Sequence, residues 1–308
     1  MSADLHIRPV GPEDADTVLA VIRAAFEDRP TLTPPTDALG ETAATVGRRL
    51  ERGGGLVAHR GEDAVGTVLL DPEGETCYLR RFGVVPDAQD RGVARVLAAA
   101  ALDAAAALDG VDRVAVLARE ELPATLRFWR RQGFGETYRD APYVEMVRAL
   151  PRRVTVPTAE DMRDLAHRTA AVLRAGDVLV LSGDLGAGKT TFTQGLGAAL
   201  GVRGDVTSPT FVIARVHPSL TDGPALVHVD AYRLHDGVEL DDLDLDAELD
   251  DAVTVVEWGE GLAEVLSDSP LEIRIHRSAA APDGDDPRTV EIDPCGARWL
   301  GADLPGAP

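Results

Sequence analysis

The segment LVLSGDLGAGKTTFTQGL holds Gly183, four intervening residues, then Gly188-Lys189-Thr190, the full GxxxxGK[ST] spacing. It follows an apolar strand, DVLVLSG, and opens a helix predicted over Lys189–Leu200. Phosphate binding needs that context. Gly186 and Gly188 lack side chains, so backbone N–H groups can wrap closely around an anion. The helix N-terminus points at the same charge. Lys189 can reach the terminal phosphates, and the Thr190 hydroxyl can ligate magnesium. Gly183, Gly186, Ala187, Gly188, Lys189 and Thr190 are therefore the candidate phosphate-binding residues. An ordinary glycine-rich strand–helix turn is the plain alternative, and both spacing and context favour the phosphate loop. Lys189 is also the only lysine in the chain.

Nucleotide hydrolysis needs an acid on the metal side and a group that orients water. Asp230, in LVHVDAYRL, and Glu257, in VTVVEWGEGL, each follow several apolar residues. Such positions lie where a doubly wound sheet presents its ligand-facing end. Trp258 beside Glu257 reads as core or partner surface, because an indole neither exchanges protons near neutrality nor binds metal. A kinase reading lacks an arginine-rich lid: after Arg233 the next base is Arg274.

Around the phosphate loop stand further boxes: SPTF at Ser208–Phe211, HVDAYRL at His228–Leu234, Glu239-Leu240, and VVEWGE at Val255–Glu260. With them, residues 151–308 resemble the TsaE (YjeE) family, ATPase subunits of the bacterial machinery that installs threonylcarbamoyl on tRNA adenosine. The resemblance implies that Gly186 to Thr191 cradle ATP and that Thr190 and Glu257 hold Mg2+. It implies that Asp230 serves hydrolysis beside the γ-phosphate, with Lys189 on the phosphates. Ser208, Pro209 and Thr210 would form a switch-like loop, and Trp258 would belong to the site. The implied partners are TsaB and TsaD, with tRNA reached only through that complex. One departure is 236–251, with nine acids and no base. It reads as a solvated acidic face, with Leu240, Leu243, Leu245 and Leu249 as core positions.

A second constellation lies in LRRFGVVPDAQDRGVARVLAAAALDAA. A strand ends at Val84-Val85-Pro86, and Gln89-Asp90-Arg91-Gly92-Val93-Ala94 opens a long helix. Such a loop can aim several N–H groups and Arg91 at a pyrophosphate. Q-x-x-G-x-A after V-x-P, the later FWRRQGF, and the opening IRPVGPEDAD together resemble the Gcn5-related N-acetyltransferase (GNAT) family. By that resemblance the Val84 and Val85 backbone pairs with the pantetheine arm of acetyl-CoA, and Gln89, Arg91, Gly92, Val93 and Ala94 embrace its pyrophosphate. Ala94 replaces the second glycine of the family's loop. Leu122 and Trp129 stand where the family often has Asn and a proton-donating Tyr, and neither can donate a proton. Tyr138, Tyr143 or water could protonate the thiolate, and Glu75, Glu120 and Glu121 are possible bases. A binding or scaffolding unit is the other reading, and no catalytic residue is assigned in this half. The acetyl acceptor stays open between a protein N-terminus, a small amine and an antibiotic.

These motifs need two α/β domains to carry them: residues 1–150, a GNAT-type mixed sheet with flanking helices, and 151–308, a P-loop NTPase-like α/β sandwich. In the first, strands are predicted at Leu5–Val10 and Thr76–Val85. A hairpin turns near Gly61, and helices cover Pro12–Phe26, Glu41–Glu51, Gly92–Leu108 and Pro123–Gln132. Strands in VDRVAVLARE and at Tyr143–Arg148 complete that domain. PRRVTVPTAED reads as the junction. Beyond it come a helix over Ala159–Ala175, stopped by Gly176, and strands at Thr210–Val216, Ala225–Val229, Ala252–Glu257 and Leu271–His276. The polar 278–289 reads as a hairpin tip and the tail from Gly301 as frayed.

The 308 residues include 52 acids against 31 Lys and Arg, a net charge of −21, and the excess falls mainly after residue 150. A generic nucleic-acid surface requires the opposite sign. Cys77 and Cys295 are the only cysteines, so neither a disulfide framework nor a thiolate zinc cluster is expected. No apolar stretch approaches a membrane span and no secretory signal opens the sequence, which makes the cytoplasm the expected compartment. The reading is a bifunctional protein: a TsaE-like ATPase fused to an acetyl-CoA-dependent N-acetyltransferase. The alternatives are an acetyltransferase with a regulatory nucleotide-binding domain, and a largely non-catalytic assembly factor. A lost charge-assisted hydrogen bond is worth about 1.5–3 kcal/mol, so Arg91→Ala should weaken acetyl-CoA binding about ten- to a hundredfold. Gly92→Asp should be worse, since it adds bulk and negative charge beside pyrophosphate. Calorimetric titration with acetyl-CoA checks both.

Overall fold

In a computed structural model, residues 5–27, 29–30, 32–208, 214–233, 250–259, 266–277 and 287–306 are described. The contacts separate two units, Met1–Leu150 and Pro151–Pro308. Each is α/β and carries its own seven-stranded sheet.

The first unit runs β1 (Leu5–Val10), α1 (Ala15–Glu27), α2 (Ala43–Gly53), β2 (Gly55–Arg60), β3 (Asp63–Glu73), β4 (Thr76–Val84), α3 (Val93–Ala106), β5 (Arg113–Arg119), α4 (Pro123–Arg131), β6 (Gly135–Asp140) and β7 (Tyr143–Ala149). Its strand order is β1-β2-β3-β4-β5-β7-β6. All neighbours are antiparallel except β4 and β5, which pair in parallel only at Thr76–Tyr78 with Arg113–Ala115. Beyond Tyr78 the two strands are no longer paired, and β4 continues to Val84 paired with β3 alone. A gap that leaves backbone groups without a strand partner is where a ligand can pair with a sheet. On one face, α3 buries Val93, Leu97, Ala101 and Ala105 against Cys77, Leu79, Val114 and Val116. The spacing of those α3 residues follows one stripe of a helix. On the other face, Ile22 and Leu50 of α1 and α2 cluster with Val57 and Leu69.

The second unit runs β8 (Arg152–Val156), α5 (Ala159–Ala170), β9 (Val178–Ser182), α6 (Lys189–Leu200), β10 (Ala214–His217), β11 (Ala225–Asp230), β12 (Ala252–Glu257), β13 (Leu271–Arg277) and β14 (Arg288–Pro294). The order is β10-β11-β12-β9-β13-β14-β8, with β11, β12, β9 and β13 parallel. β9 and β12 are buried along their whole length, as expected for strands covered on both faces. Helix α5 starts from a capping box in which Thr158 and Asp161 bond each other's backbone N–H groups.

Three local expectations are corrected, and one strand, at 135–140, is added to them. Residues 152–156 of the presumed junction form β8, whose one-in, one-out burial seats it beside β14 as an edge strand. Residues 135–140 form β6, which is nearly all exposed and so carries no apolar alternation; its backbone pairing with β7 makes it a strand. Helix α5 ends at Ala170 because the next bonds tighten to i→i+3, from Val172 N–H to Thr169 O and Leu173 N–H to Ala170 O. The tail is packed, not frayed: Leu304 is buried, and Arg152 Nη1 donates to Gly306 O at 3.0 Å. The strand expected at Thr210–Val216 is described from Ala214 onward; residues 209–213, 234–249, 260–265 and 278–286 lie outside the described residues, and with them the acidic stretch up to Leu249 and most of the presumed hairpin tip.

Helices α5 and α6 approach closely at Gly195, where a Cβ would sit 2.8 Å from Arg163 Cα and O. Those are backbone atoms and cannot swing aside. Gly195→Val should therefore destabilise the protein by about 1–3 kcal/mol, as overpacking does. Urea unfolding would show the loss, and an unchanged midpoint would contradict the close approach.

Candidate functional site

Parallel register aligns the ends of β11 and β12, so Asp230 pairs directly with Glu257. Glu257 sits in turn beside Leu181 of β9, whose continuation is the glycine loop. Three sequence-distant segments therefore end at one edge of the sheet. The loop takes positive φ at Gly183 (140°), Gly186 (75°) and Gly188 (120°). At Gly183 a Cβ would fall 2.4 Å from Ile275 O, so glycine is required twice over.

The chemical groups converge. Lys189 is buried, and its Nζ donates to Gly183 O at 2.7 Å and Asp184 O at 3.2 Å. The same ammonium lies 3.6 Å from the centre of the Trp258 ring, within cation–π range. Burial pushes its pKa down, while Glu257, Asp230 and Asp184 pull it up and do not fully compensate. The Thr190 hydroxyl donates to Glu257 Oε1 at 3.2 Å. Ser208 Oγ donates to Asp230 Oδ2 at 3.3 Å, and Tyr232 N–H to Asp230 Oδ1 at 3.1 Å. Both carboxylates are nearly fully buried.

Trp258 has φ 62°, a left-handed conformation rare for a bulky residue. Its N–H donates to Leu181 O at 2.9 Å, and Tyr232 meets its ring edge-on at 5.5 Å. The ring thus lies against the lysine rather than in an apolar core. Thr191 is half-buried in the first turn of α6. Pro209 and Thr210 lie outside the described residues, as do Leu234, Glu239, Leu240 and Glu260.

Sequence reasoning missed three residues here. His228 Nε2 lies 2.9 Å from Glu257 Oε1. Arg288 Nε donates to Ala187 O at 3.1 Å, and Arg277 Nη2 would lie 3.6 Å from a Cβ at Gly186. The H-x-D spacing of His228 and Asp230 was a usable signal, since alternate strand residues share a face. No local signal exists for the two arginines.

In the first unit, Gly92 (φ 76°) caps α3 without a side-chain bond, and Asp90 also has positive φ (57°). Gln89, Arg91 and Gly92 are exposed, Val93 is buried and Ala94 half-buried. Val85 N–H is committed to Val65 O at 2.9 Å, whereas Val84 O accepts from Gln89 Nε2 at 3.2 Å. Trp129 is buried in an aromatic cluster with Phe82, Phe128 and Phe134. The candidate bases are all ion-paired: Glu75 with Arg113, Glu120 with Arg139, and Glu121 with Arg119. Arg119 holds Glu121 below the ordinary carboxylate range, which weakens it as a base. Leu122 precedes α4 as its N-cap, and Tyr138 and Tyr143 are exposed. A tyrosine not weighed from sequence, Tyr78, stands where β4 and β5 part. It donates to Glu145 Oε1 at 3.0 Å, while Thr137 donates to Oε2.

The family model for Threonylcarbamoyl adenosine biosynthesis protein TsaE matches residues 156–284. The tRNA threonylcarbamoyladenosine biosynthesis protein TsaE of Streptomyces coelicolor is 61% identical over 144 residues, 46% of this chain and 97% of that protein. This chain belongs to the TsaE family. The Bacillus subtilis TsaE is 42% identical over 142 residues, 46% of this chain and 84% of the relative. Ahead of the TsaE-family domain, the acetyltransferase (GNAT) family model matches residues 19–134. An acetyltransferase structure from Thermus thermophilus is 26% identical, covering 49% of this chain and 100% of that one at a TM-score of 0.39. The chain is thus a fusion of a GNAT-like domain and a TsaE-family domain. TsaE membership supports a role in the TsaE ATPase pathway. No helix among the described residues is long and apolar enough to cross a membrane.

The depressed pKa of Lys189 has a direct consequence. A lowered pKa enlarges the neutral, nucleophilic fraction at any given pH, so acylating reagents should modify Lys189 with a midpoint below the ordinary 10.5. As the sole lysine it gives a single labelled tryptic site besides the α-amine. Saturating ATP should protect it, and equal labelling in its presence would remove Lys189 from the nucleotide site.

Proposed function

We propose that residues 151–308 bind ATP with Mg2+ and hydrolyse it, and that this cycle supports a TsaB–TsaD complex forming threonylcarbamoyladenosine on tRNA. The observation that carries the reading is the Thr190–Glu257 contact of 3.2 Å beside the glycine loop, with Asp230 and Glu257 both close enough to act on the Lys189 charge. Hydroxyl and carboxylate are hard oxygen donors suited to magnesium. Among the described residues no cluster of three His, Cys, Asp or Glu could hold a metal by itself. A Mg2+ ion held by Thr190 and Glu257 would take its other ligands from the nucleotide and water, the usual magnesium arrangement. When bound, it would neutralise phosphate charge.

The chain's own groups do the rest. Amides of the glycine loop and the α6 N-terminus hold the phosphates, and the Lys189 ammonium balances the terminal ones. For that, Lys189 must exchange the carbonyls of Gly183 and Asp184 for phosphate oxygens. Asp230, fixed by Ser208 and the Tyr232 N–H, orients the water that attacks phosphorus as the bond to the β-phosphate oxygen breaks. The similarity to TsaE proteins of tRNA threonylcarbamoyladenosine biosynthesis supports the tRNA pathway, and the net charge of −21 argues that tRNA is met through partners.

For residues 1–150 we infer acetyl-CoA binding, with the Gln89–Ala94 loop and the α3 N-terminus on the pyrophosphate and the β4 edge at Val84 on the pantetheine arm. Transfer would place the acetyl group on an amine. The Trp129 indole cannot serve as an acid, and pairing with Arg119 weakens Glu121 as a base.

The test is ATPase turnover of the full chain with and without TsaB–TsaD. Stimulation by the complex supports the reading, and its absence overturns the partnership. Asp230→Ala should cut turnover by at least about tenfold while ATP affinity holds, the signature of a group acting in the transition state. Glu257→Ala should shift the magnesium dependence of nucleotide binding, measured by calorimetry. An unshifted magnesium titration removes Glu257 as a ligand.

A further inference from the structure

His228 has no part in the reading so far. It lies on β11 two residues before Asp230, directly beside Val255 of β12 in parallel register. Its side chain is completely buried. Nε2 stands 2.9 Å from Glu257 Oε1, and Nδ1 has no hydrogen-bond partner among the described residues. A proton on Nδ1 would be a buried donor with nothing to bond, which folded proteins avoid. The ring proton therefore sits on Nε2 and is donated to Glu257.

That assignment divides the work of the two carboxylate oxygens. Oε1 accepts from His228 and, at 3.2 Å, from Thr190. Oε2 meets Thr190 only at 3.5 Å, so it keeps lone pairs for a further partner. Glutamate has three side-chain torsions, and burying its charge is costly unless the geometry is held. We infer that His228 is a positioning residue: its Nε2–H clamps Oε1 of Glu257 and so aims Oε2 at the magnesium of the bound nucleotide. The inference rests on the reading that Glu257 is a magnesium ligand. An apolar side chain of equal volume would fill the same core but leave Glu257 free to rotate away from Thr190.

The test uses the full chain and ATP titrations by calorimetry, in excess Mg2+ and in EDTA. His228→Leu keeps the bulk and removes the donor. It should lower the magnesium-promoted gain in ATP affinity about 10–100-fold, the usual effect of losing a group that orients a ligand. Affinity in EDTA should not move. His228→Gln can return an N–H near the Nε2 position and should restore most of the gain. The double variant His228→Leu/Glu257→Ala should lose no more than Glu257→Ala alone, because His228 acts only through that carboxylate. Additive losses, equal losses with and without magnesium, or no recovery in His228→Gln would each overturn the inference. A shifted magnesium titration in Glu257→Ala with an unshifted one in His228→Leu overturns the inference alone. An unshifted titration in Glu257→Ala overturns the ligand reading, and the inference with it. A measurement on the unmodified protein guards against a misfolded variant. The 15N spectrum of labelled histidines should show His228 as the Nε2–H form, and an Nδ1–H form overturns the inference.

Discussion

Glu257 is a carboxylate at the end of a wholly buried strand, and the second unit is arranged around keeping it there. Its charge is out of water, so it must be met by donors or it would be strongly destabilising. The Thr190 hydroxyl and the His228 ring answer that demand from α6 and β11. Each donor fixes its own element relative to β12. The glycine loop, which ends at Thr190, is thereby set against the same carboxylate that the proposed nucleotide chemistry would use. The stability of the sheet edge and the geometry of the site depend on the same contacts.

Lys189 obeys a related constraint from the opposite sign. A buried ammonium needs acceptors, and it takes the carbonyls of Gly183 and Asp184 together with the face of Trp258. These contacts are individually replaceable, because phosphate oxygens are stronger acceptors than carbonyls. Trp258 reaches its place over the lysine only by adopting a left-handed backbone, a conformation that costs a non-glycine residue about 1–3 kcal/mol. Its N–H bond to Leu181 O holds that turn in place. Strain of this kind concentrates where chemistry requires a particular orientation.

The first unit shows arginine used as a structural tie. Arg29 donates to Phe82 O, Arg81 to Asp37 and Glu41, and Arg119 to the carbonyls of Thr33 and Pro34. All three bind the segment between α1 and α2 to the ends of β4 and β5, beside the gap between those strands. The same pairing economy weakens Glu121 as a base, since its charge is already matched by Arg119. Tyr78 and Glu145 are the opposite case: a phenol and a carboxylate bonded to each other, with burial and the carboxylate together raising the phenol's pKa.

Two families of the fused chain were legible in the sequence because their boxes are short and local. Gly183 to Thr190 must lie within one turn to cradle a phosphate, so spacing alone encodes it. The buried strands β9 and β12 also showed as apolar runs. The polar strand β6 and the edge strand β8 did not, because backbone pairing with a neighbour makes them strands and periodicity carries no trace of it. The packed tail was hidden for the same reason, since Arg152 and Gly306 lie 154 residues apart. Tertiary structure alone brought His228 to Glu257 across 29 residues, Tyr78 to Glu145 across 67, and Arg288 to Ala187 across 101. Those distances are closed by the way strands and helices assemble, and strand register is decided by which side chains each sheet can bury against its own helices.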